Sequence, residues 1–154
     1  MGIKEEKTYI KRGVISQTII NICTKNPQTV SILVENLNAN EITVRTNATL
    51  ALSGIQVSNY NLIDIPNIIN ITFKESNFEV KKELLKFLLI ISDQQPGLIL
   101  DEVKTLFKIL NEENKKVQLA LLKILIPLSK VYPESIPLKI IEKFTKVGKK
   151  LGVI

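Results

Sequence analysis

A pattern that repeats every 36 or 37 residues constrains the fold of this chain more than any other feature. Three segments that begin at Val30, Pro66 and Val103 align without a gap; they read VSILVENLNANEITVRTNATLALSGI, PNIINITFKESNFEVKKELLKFLLII and VKTLFKILNEENKKVQLALLKILIPL. Apolar residues fall in register at Leu33, Ile69 and Leu106, at Leu37, Phe73 and Leu110, at Val44, Val80 and Val117, at Ala48, Leu84 and Leu121, at Leu52, Leu88 and Leu125, and at Ile55, Ile91 and Leu128. Self-similarity at such a period is typical of helical repeat proteins.

Each repeat contains two apolar stripes at helical spacing, separated by a short polar turn rich in Asn, Glu and Lys. This pattern predicts a helical hairpin. Ser76 with Glu79 resembles a capping box at the start of a second helix, and Asn38 and Asn114 are further candidate caps. Prolines fall at or near the predicted start of each first helix, where a missing N–H costs little, at Pro27, Pro66, Pro96 and Pro137.

The chain begins and ends with a half-repeat. The segment IKRGVISQTIINICTKNP aligns with a second helix, and SIPLKIIEKFTKVGKKLGVI has the pattern of a first helix. We therefore predict one all-α domain over residues 1–154, with about eight helices in about four stacked hairpins. The predicted units are a half-unit over 7–26, repeats over about 27–60, 61–95 and 96–132, and a terminal helix over 134–151.

The early proline, the turn spacing and the run Val44-Arg45 followed by Ala48, Ala51 and Leu52 resemble the HEAT repeat of the HEAT and armadillo superfamily. The arginine typical of the second helix has Arg12 and Lys81 as basic equivalents, whereas the third repeat has Gln118. The resemblance implies a right-handed α-solenoid, an alpha-alpha superhelix, whose second helices line a concave surface. It also implies a non-enzymatic scaffold or adaptor that binds other proteins.

The composition gives little support to catalysis. The chain has no histidine, which excludes the commonest general base and most zinc sites, and its six glycines form no phosphate-binding loop. The acidic pairs Asp101–Glu102 and Glu112–Glu113 are adjacent, so on a helix their side chains diverge. Cys23 aligns with Ser92 and Ser129, as expected for a small packed residue. We therefore expect no enzyme activity, metal site or cofactor.

The basic charge is the feature that suggests binding partners. The net charge is +6, and fourteen lysines against nine acids place most of it in residues 78–154. In the solenoid that the resemblance implies, the second helices line the concave surface, and the cations that they carry favour binding of acidic protein segments there: Arg45, Lys81, Lys82, Lys86 and Lys123. A second set forms one stripe on the last helix and offers the alternative of phosphate contacts with nucleic acid: Lys139, Lys143, Lys146 and Lys150.

Protein binding through the concave surface is the leading hypothesis, and nucleic-acid binding is the alternative. Glutamates interleave with the lysines, and aromatic residues make up only 5% of the chain, which leaves few platforms for stacking bases. The N-terminal sequence MGIKEEKTYIKRG has no apolar signal-like run, so we expect a cytoplasmic protein with no membrane association. Self-association through the half-repeats at the two ends is compatible with either function.

Overall fold

The computed structural model describes residues 25–55, 57–111 and 114–154, together with Thr18, Asn21 and Ile22. This described part is all-α: it contains eight α-helices and no strand. The helices are α1 Val30–Asn36, α2 Ile42–Ser53, α3 Ile65–Lys74, α4 Phe78–Gln94, α5 Pro96–Leu100, α6 Val103–Leu110, α7 Lys115–Val131 and α8 Leu138–Leu151. Short 3-10 helices cover Pro27–Thr29, Val57–Leu62 and Pro133–Ser135.

The helices pack mainly against neighbours in the repeat order. Helix α1 packs against α2, α3 against α4, and α6 against α7, which gives a first, a second and a third hairpin. Among the longer second helices, α2 packs against α4 and α4 against α7, while α8 covers α7 and α6. The predicted first helix of the third repeat is divided, because a turn at Asp101–Glu102 separates α5 from α6.

The core consists of the positions that repeat in the sequence. Leucines and isoleucines at the aligned places are buried in all three hairpins, for example Leu52, Leu88 and Leu125. Each such side chain contributes roughly 1.5–3 kcal/mol by leaving water. Val44 and Phe73 are partly buried exceptions to the predicted core. Since successive hairpins contribute equivalent side chains, one continuous core runs through the described residues.

The prolines lie at helix starts as predicted, whereas two of the predicted N-cap residues are wrong. Asn77, and not Ser76, caps α4, because its side-chain oxygen accepts a hydrogen bond from the Val80 N–H at 3.1 Å. Asn114 caps α7 as predicted, with a 3.1 Å bond from the Val117 N–H. The N-cap residue of α2 is Glu41, not Asn38, and its side chain makes no capping bond. Pro27, Pro66, Pro96 and Pro137 all lie at or next to a helix start.

Pro127 lies inside α7, where the sequence predicts a bend or an end of the helix. The helix continues through it to Val131. Pro127 is exposed, so the missing N–H and the Lys123 carbonyl four residues earlier lie at the solvent-facing side of the helix. The predicted half-unit over 7–26, which includes Arg12 and Cys23, lies almost wholly outside the described residues, as do Glu112 and Glu113.

Candidate interaction groove

A groove with a volume of about 440 Å³ lies between α4 and α7. We call it the α4–α7 groove, and its lining residues are Phe78, Lys82, Leu85, Lys86, Leu89, Lys116, Val117, Leu119, Ala120 and Lys123. The five residues from α4 are Phe78, Lys82, the adjacent pair Leu85 and Lys86, and Leu89; successive groups are three or four positions apart, so they form one stripe along that helix. Leu85 and Val117 are buried, whereas Leu89 and Ala120 are partly exposed. The groove therefore has an apolar surface that solvent reaches.

Four lysines surround this apolar surface, two on each helix. Lys82 and Lys86 belong to α4, and Lys116 and Lys123 belong to α7, while none of the lining residues is acidic. The Lys86 ammonium also pairs with the Glu83 carboxylate at 3.1 Å, and the two residues are three positions apart on α4. Within the described ranges, no carboxylate lies within 4.0 Å of the Lys82 or Lys123 ammonium. Positive charge therefore surrounds an apolar surface without internal neutralisation at these two sites.

Phe78 marks one end of the groove. The residue is 38% exposed, and the Lys116 ammonium lies 5.4 Å from the centroid of its ring. Because Phe78 belongs to the second hairpin and Lys116 to the third, this cation–π contact crosses between the hairpins. A contact of this kind at an exposed site contributes only about 0.5–1 kcal/mol.

The structure brings together three of the five residues predicted to bind a protein partner. Lys82, Lys86 and Lys123 all line the groove, whereas Arg45 and Lys81 lie elsewhere. Sequence reasoning missed Phe78 and Lys116. The available signal was the spacing of Lys116 and Lys123, which are two helical turns apart and therefore share a face.

Arg45 is occupied by contacts within the fold. Its Nε and Nη2 donate to the two carboxylate oxygens of Glu75 at 2.9 and 3.1 Å, and its Nη1 donates to the carbonyls of Ala39 and Asn40, each at 3.0 Å. The side chains of Arg45 and Glu75 are only 14% and 4% exposed. The pair joins the first hairpin to the second and also holds the turn that precedes α2.

The residues aligned with Arg45 make related contacts in the other hairpins. The Lys81 ammonium lies 5.8 Å from the centroid of the Phe73 ring, and the Gln118 side-chain amide donates to the Leu110 carbonyl at 2.9 Å. Phe73 and Leu110 occupy equivalent positions at the ends of α3 and α6. Gln118, which departs from the repeat by residue type, therefore still ties its second helix to the end of its first helix.

The lysines predicted as nucleic-acid contacts form a separate surface on α8. Lys139, Lys143, Lys146 and Lys150 are all exposed, while Phe144 is buried against the rest of the core. The Lys143 ammonium lies 5.9 Å from the centroid of the Phe107 ring. The predicted basic stripe is thus accessible to solvent, on a different helix from the α4–α7 groove.

The described residues hold no group of three or more His, Cys, Asp or Glu side chains arranged to bind a metal ion. None of their helices has the length and apolar character needed to cross a bilayer.

Comparison of the chain with protein-family models, with curated proteins and with solved structures finds no match in any of the three. The geometry and charge of the groove are therefore the basis for a functional proposal.

Proposed function

We propose that the protein is a non-enzymatic interaction scaffold, built as a short right-handed HEAT-like α-solenoid, whose α4–α7 groove binds an acidic segment of a partner protein. The solenoid is supported by the packing order, in which α2 contacts α4, α4 contacts α7, and each second helix contacts its own first helix. In a solenoid each unit buries its apolar face only against its neighbours, which produces this order.

The observation that carries the proposal is the combination of an apolar surface and four lysines, with no acidic residue among the described residues that line the groove. Apolar contact with a partner would supply affinity, since burying apolar surface is favourable. The lysines would select acidic partners and speed association, because complementary charge steers encounter and disfavours basic segments.

Charge reversal at Lys82 and Lys86 tests the proposal. The matched control reverses Lys104 and Lys108, which have the same spacing on α6, are also exposed and do not line the groove. Wild-type protein, K82E/K86E and K104E/K108E would serve as baits for capture from native lysate, followed by quantitative mass spectrometry. We expect a partner that the wild type and the control retain and that K82E/K86E loses by about tenfold or more, equivalent to about 1.4 kcal/mol.

Circular dichroism and thermal unfolding of the three baits would establish that they are equally folded. Equal recovery of every captured protein by the two double variants would exclude the groove as the binding surface.

Nucleic-acid binding through α8 is the second candidate, favoured by the exposure of its four aligned lysines. Fluorescence anisotropy of labelled duplex DNA and RNA, titrated with salt from about 50 to 200 mM, measures it, because phosphate contacts make affinity fall log-linearly with salt. The variant K139E/K146E should weaken such binding, whereas K82E/K86E should leave it much less affected. Absence of binding at the lowest salt concentration would exclude this function.

A further inference from the structure

We infer that the partner segment in the α4–α7 groove is an amphipathic helix of about three turns, with acidic residues on both sides of its apolar stripe. This inference rests on the proposed function and specifies the partner. Charge complementarity and the hydrogen-bonding chemistry of the lining side chains carry it.

The side chains that line the groove can donate hydrogen bonds but cannot accept them. They are lysine, phenylalanine, leucine, valine and alanine residues, so they offer ammonium donors and apolar surface. An extended segment would bring backbone N–H groups into the groove, and these need acceptors when they leave water. The Lys123 carbonyl, which Pro127 deprives of its helical donor, could accept only one such bond. A helix pairs its own backbone groups internally and avoids this cost.

The length and periodicity of the groove also fit a helix. Its lining runs along α4 from Phe78 to Leu89, which is about 16 Å at a rise of 1.5 Å per residue. That length matches about three turns of a partner helix lying along α4. Apolar residues at i, i+3 or i+4, and i+7 of the partner would face the stripe formed by Leu85 and Leu89, as in other complexes in which a helix lies in a groove.

The distribution of lysines specifies where the acidic residues of the partner belong. Lys82 and Lys86 lie on one wall, one helical turn apart, and Lys116 and Lys123 lie on the other wall, two turns apart. A helix that carries carboxylates on only one side would leave the cations of the opposite wall unpaired. The partner therefore needs Asp or Glu on both sides, and an apolar residue at one end to contact the exposed ring of Phe78.

A selection from a displayed library of random 16-residue peptides tests this without assuming a sequence. The library would be selected on wild-type protein after depletion on K82E/K86E, so that only ligands dependent on the groove lysines are retained. Fluorescence anisotropy would then give the Kd of the enriched peptides for wild type, K82E/K86E and K104E/K108E. Circular dichroism would report whether each peptide gains helical structure when bound.

We expect enriched peptides with apolar residues at helical spacing and acidic residues on both sides. Their Kd should rise at least tenfold with K82E/K86E and less than threefold with K104E/K108E, and a central proline in the peptide should also weaken binding at least tenfold. Enrichment of peptides with apolar residues at every second position, of peptides without excess acid, or of none would overturn the inference. So would displacement of the best peptide by duplex DNA or RNA at a lower concentration than by unlabelled peptide.

The selection and the lysate capture can fail independently. If capture yields a partner that depends on Lys82 and Lys86 while selection yields no acidic helix, the scaffold function stands and the helical partner is excluded. If capture yields no partner that depends on these lysines, the proposed function fails whatever the selection gives.

Discussion

The contacts between the first and second hairpins differ from those between the second and third, although the same apolar sequence pattern recurs in all three hairpins. The first pair of hairpins is joined by the partly buried ion pair of Arg45 and Glu75, with atoms 2.9 Å apart. The second pair is joined at its edge by the exposed contact of Lys116 with Phe78. An ion pair with little exposure to solvent thus joins the first two hairpins. The cation between the next two hairpins, Lys116, is exposed.

The helices α4 and α7 also differ in charge at positions that the repeat makes equivalent. Lys116 and Ala120 line the groove from α7, and the repeat places Glu79 and Glu83 at the corresponding positions of α4. Glu83 already pairs with Lys86. The apolar register builds the hairpins, whereas a few positions outside that register carry acidic residues in α4 and a lysine and an alanine in α7.

The largest expected effect is the loss of the ion pair between the first two hairpins. Arg45→Met should lower the free energy of unfolding by about 3 kcal/mol or more, because it leaves the buried Glu75 carboxylate without its cation. It also removes the donors to the Ala39 and Asn40 carbonyls. Urea denaturation followed by circular dichroism measures the change.

Lys116→Ala is the matched variant between the second and third hairpins, with an expected loss of only about 0.5–1 kcal/mol. The double variant Arg45→Met with Glu75→Leu should recover part of the stability lost by Arg45→Met, since an apolar pair removes the unpaired charge. Equal losses for Arg45→Met and Lys116→Ala would refute the contrast between the two pairs of hairpins.

Affinity for an acidic ligand should fall if α7 is given the charges that α4 carries at the equivalent repeat positions. Lys116→Glu with Ala120→Glu copies Glu79 and Glu83 into α7. We expect the affinity for a captured partner, or for an acidic peptide from the selection, to fall at least tenfold, about 1.4 kcal/mol, because like charges then face the ligand. Isothermal titration calorimetry gives the affinity, and Lys116→Gln with Ala120→Gln separates the effect of charge from that of size. Equal affinities for the Glu and Gln variants would show that charge does not select the ligand.

Much of the hairpin core was predictable from the sequence because it depends on a regular apolar register. Leu52, Leu88 and Leu125 recur at the repeat period and are all buried. The groove was predictable only in part. Lys82 and Lys86 share a face of one helix, but their proximity to Lys116 depends on how two hairpins pack, and the spacing within one helix carries no such information.

The contacts of Arg45 within the fold were not predicted, for a related physical reason. Its side chain could point to solvent or to a neighbour, and the deciding partner is Glu75, which lies 30 residues away in the chain. The repeat gave Arg45 and Lys81 equivalent positions, yet residue type and local partners direct one to a carboxylate and the other to an aromatic ring. Pattern alone predicts the position of a side chain on its helix, and long-range contacts decide what it does there.

The starts of the second helices provide a smaller difference between the hairpins. Asn114→Ala should cost about 1 kcal/mol, because the Asn114 side chain accepts the Val117 N–H at the start of α7. Glu41→Ala at the start of α2 should change stability by less than about 0.5 kcal/mol, since Glu41 makes no capping bond. Urea denaturation of the two variants measures both effects. A larger loss for Glu41→Ala than for Asn114→Ala would contradict the assignment of a stabilising side-chain cap to Asn114 and not to Glu41.

The smallest expected effect is a change in the pH dependence of stability, and it comes from Tyr60, between the first two hairpins. Tyr60 is only 2% exposed, and its ring forms a T-shaped pair with the ring of Phe87 in α4, at a centroid distance of 6.2 Å. Burial raises the pKa of the Tyr60 phenol above its ordinary value of 10.0, because the charged phenolate loses solvation in the core. Above pH 10 the unfolded chain therefore releases this proton before the folded chain does, and the free energy of unfolding should fall as pH rises.

Tyr60→Phe removes this contribution, so urea titrations should show a shallower decline for the variant above pH 10 and parallel stabilities between pH 6 and 8. Parallel declines above pH 10 would mean that Tyr60 ionises as readily in the folded chain as in the unfolded one, and that the contact between the first two hairpins is open to solvent at this residue.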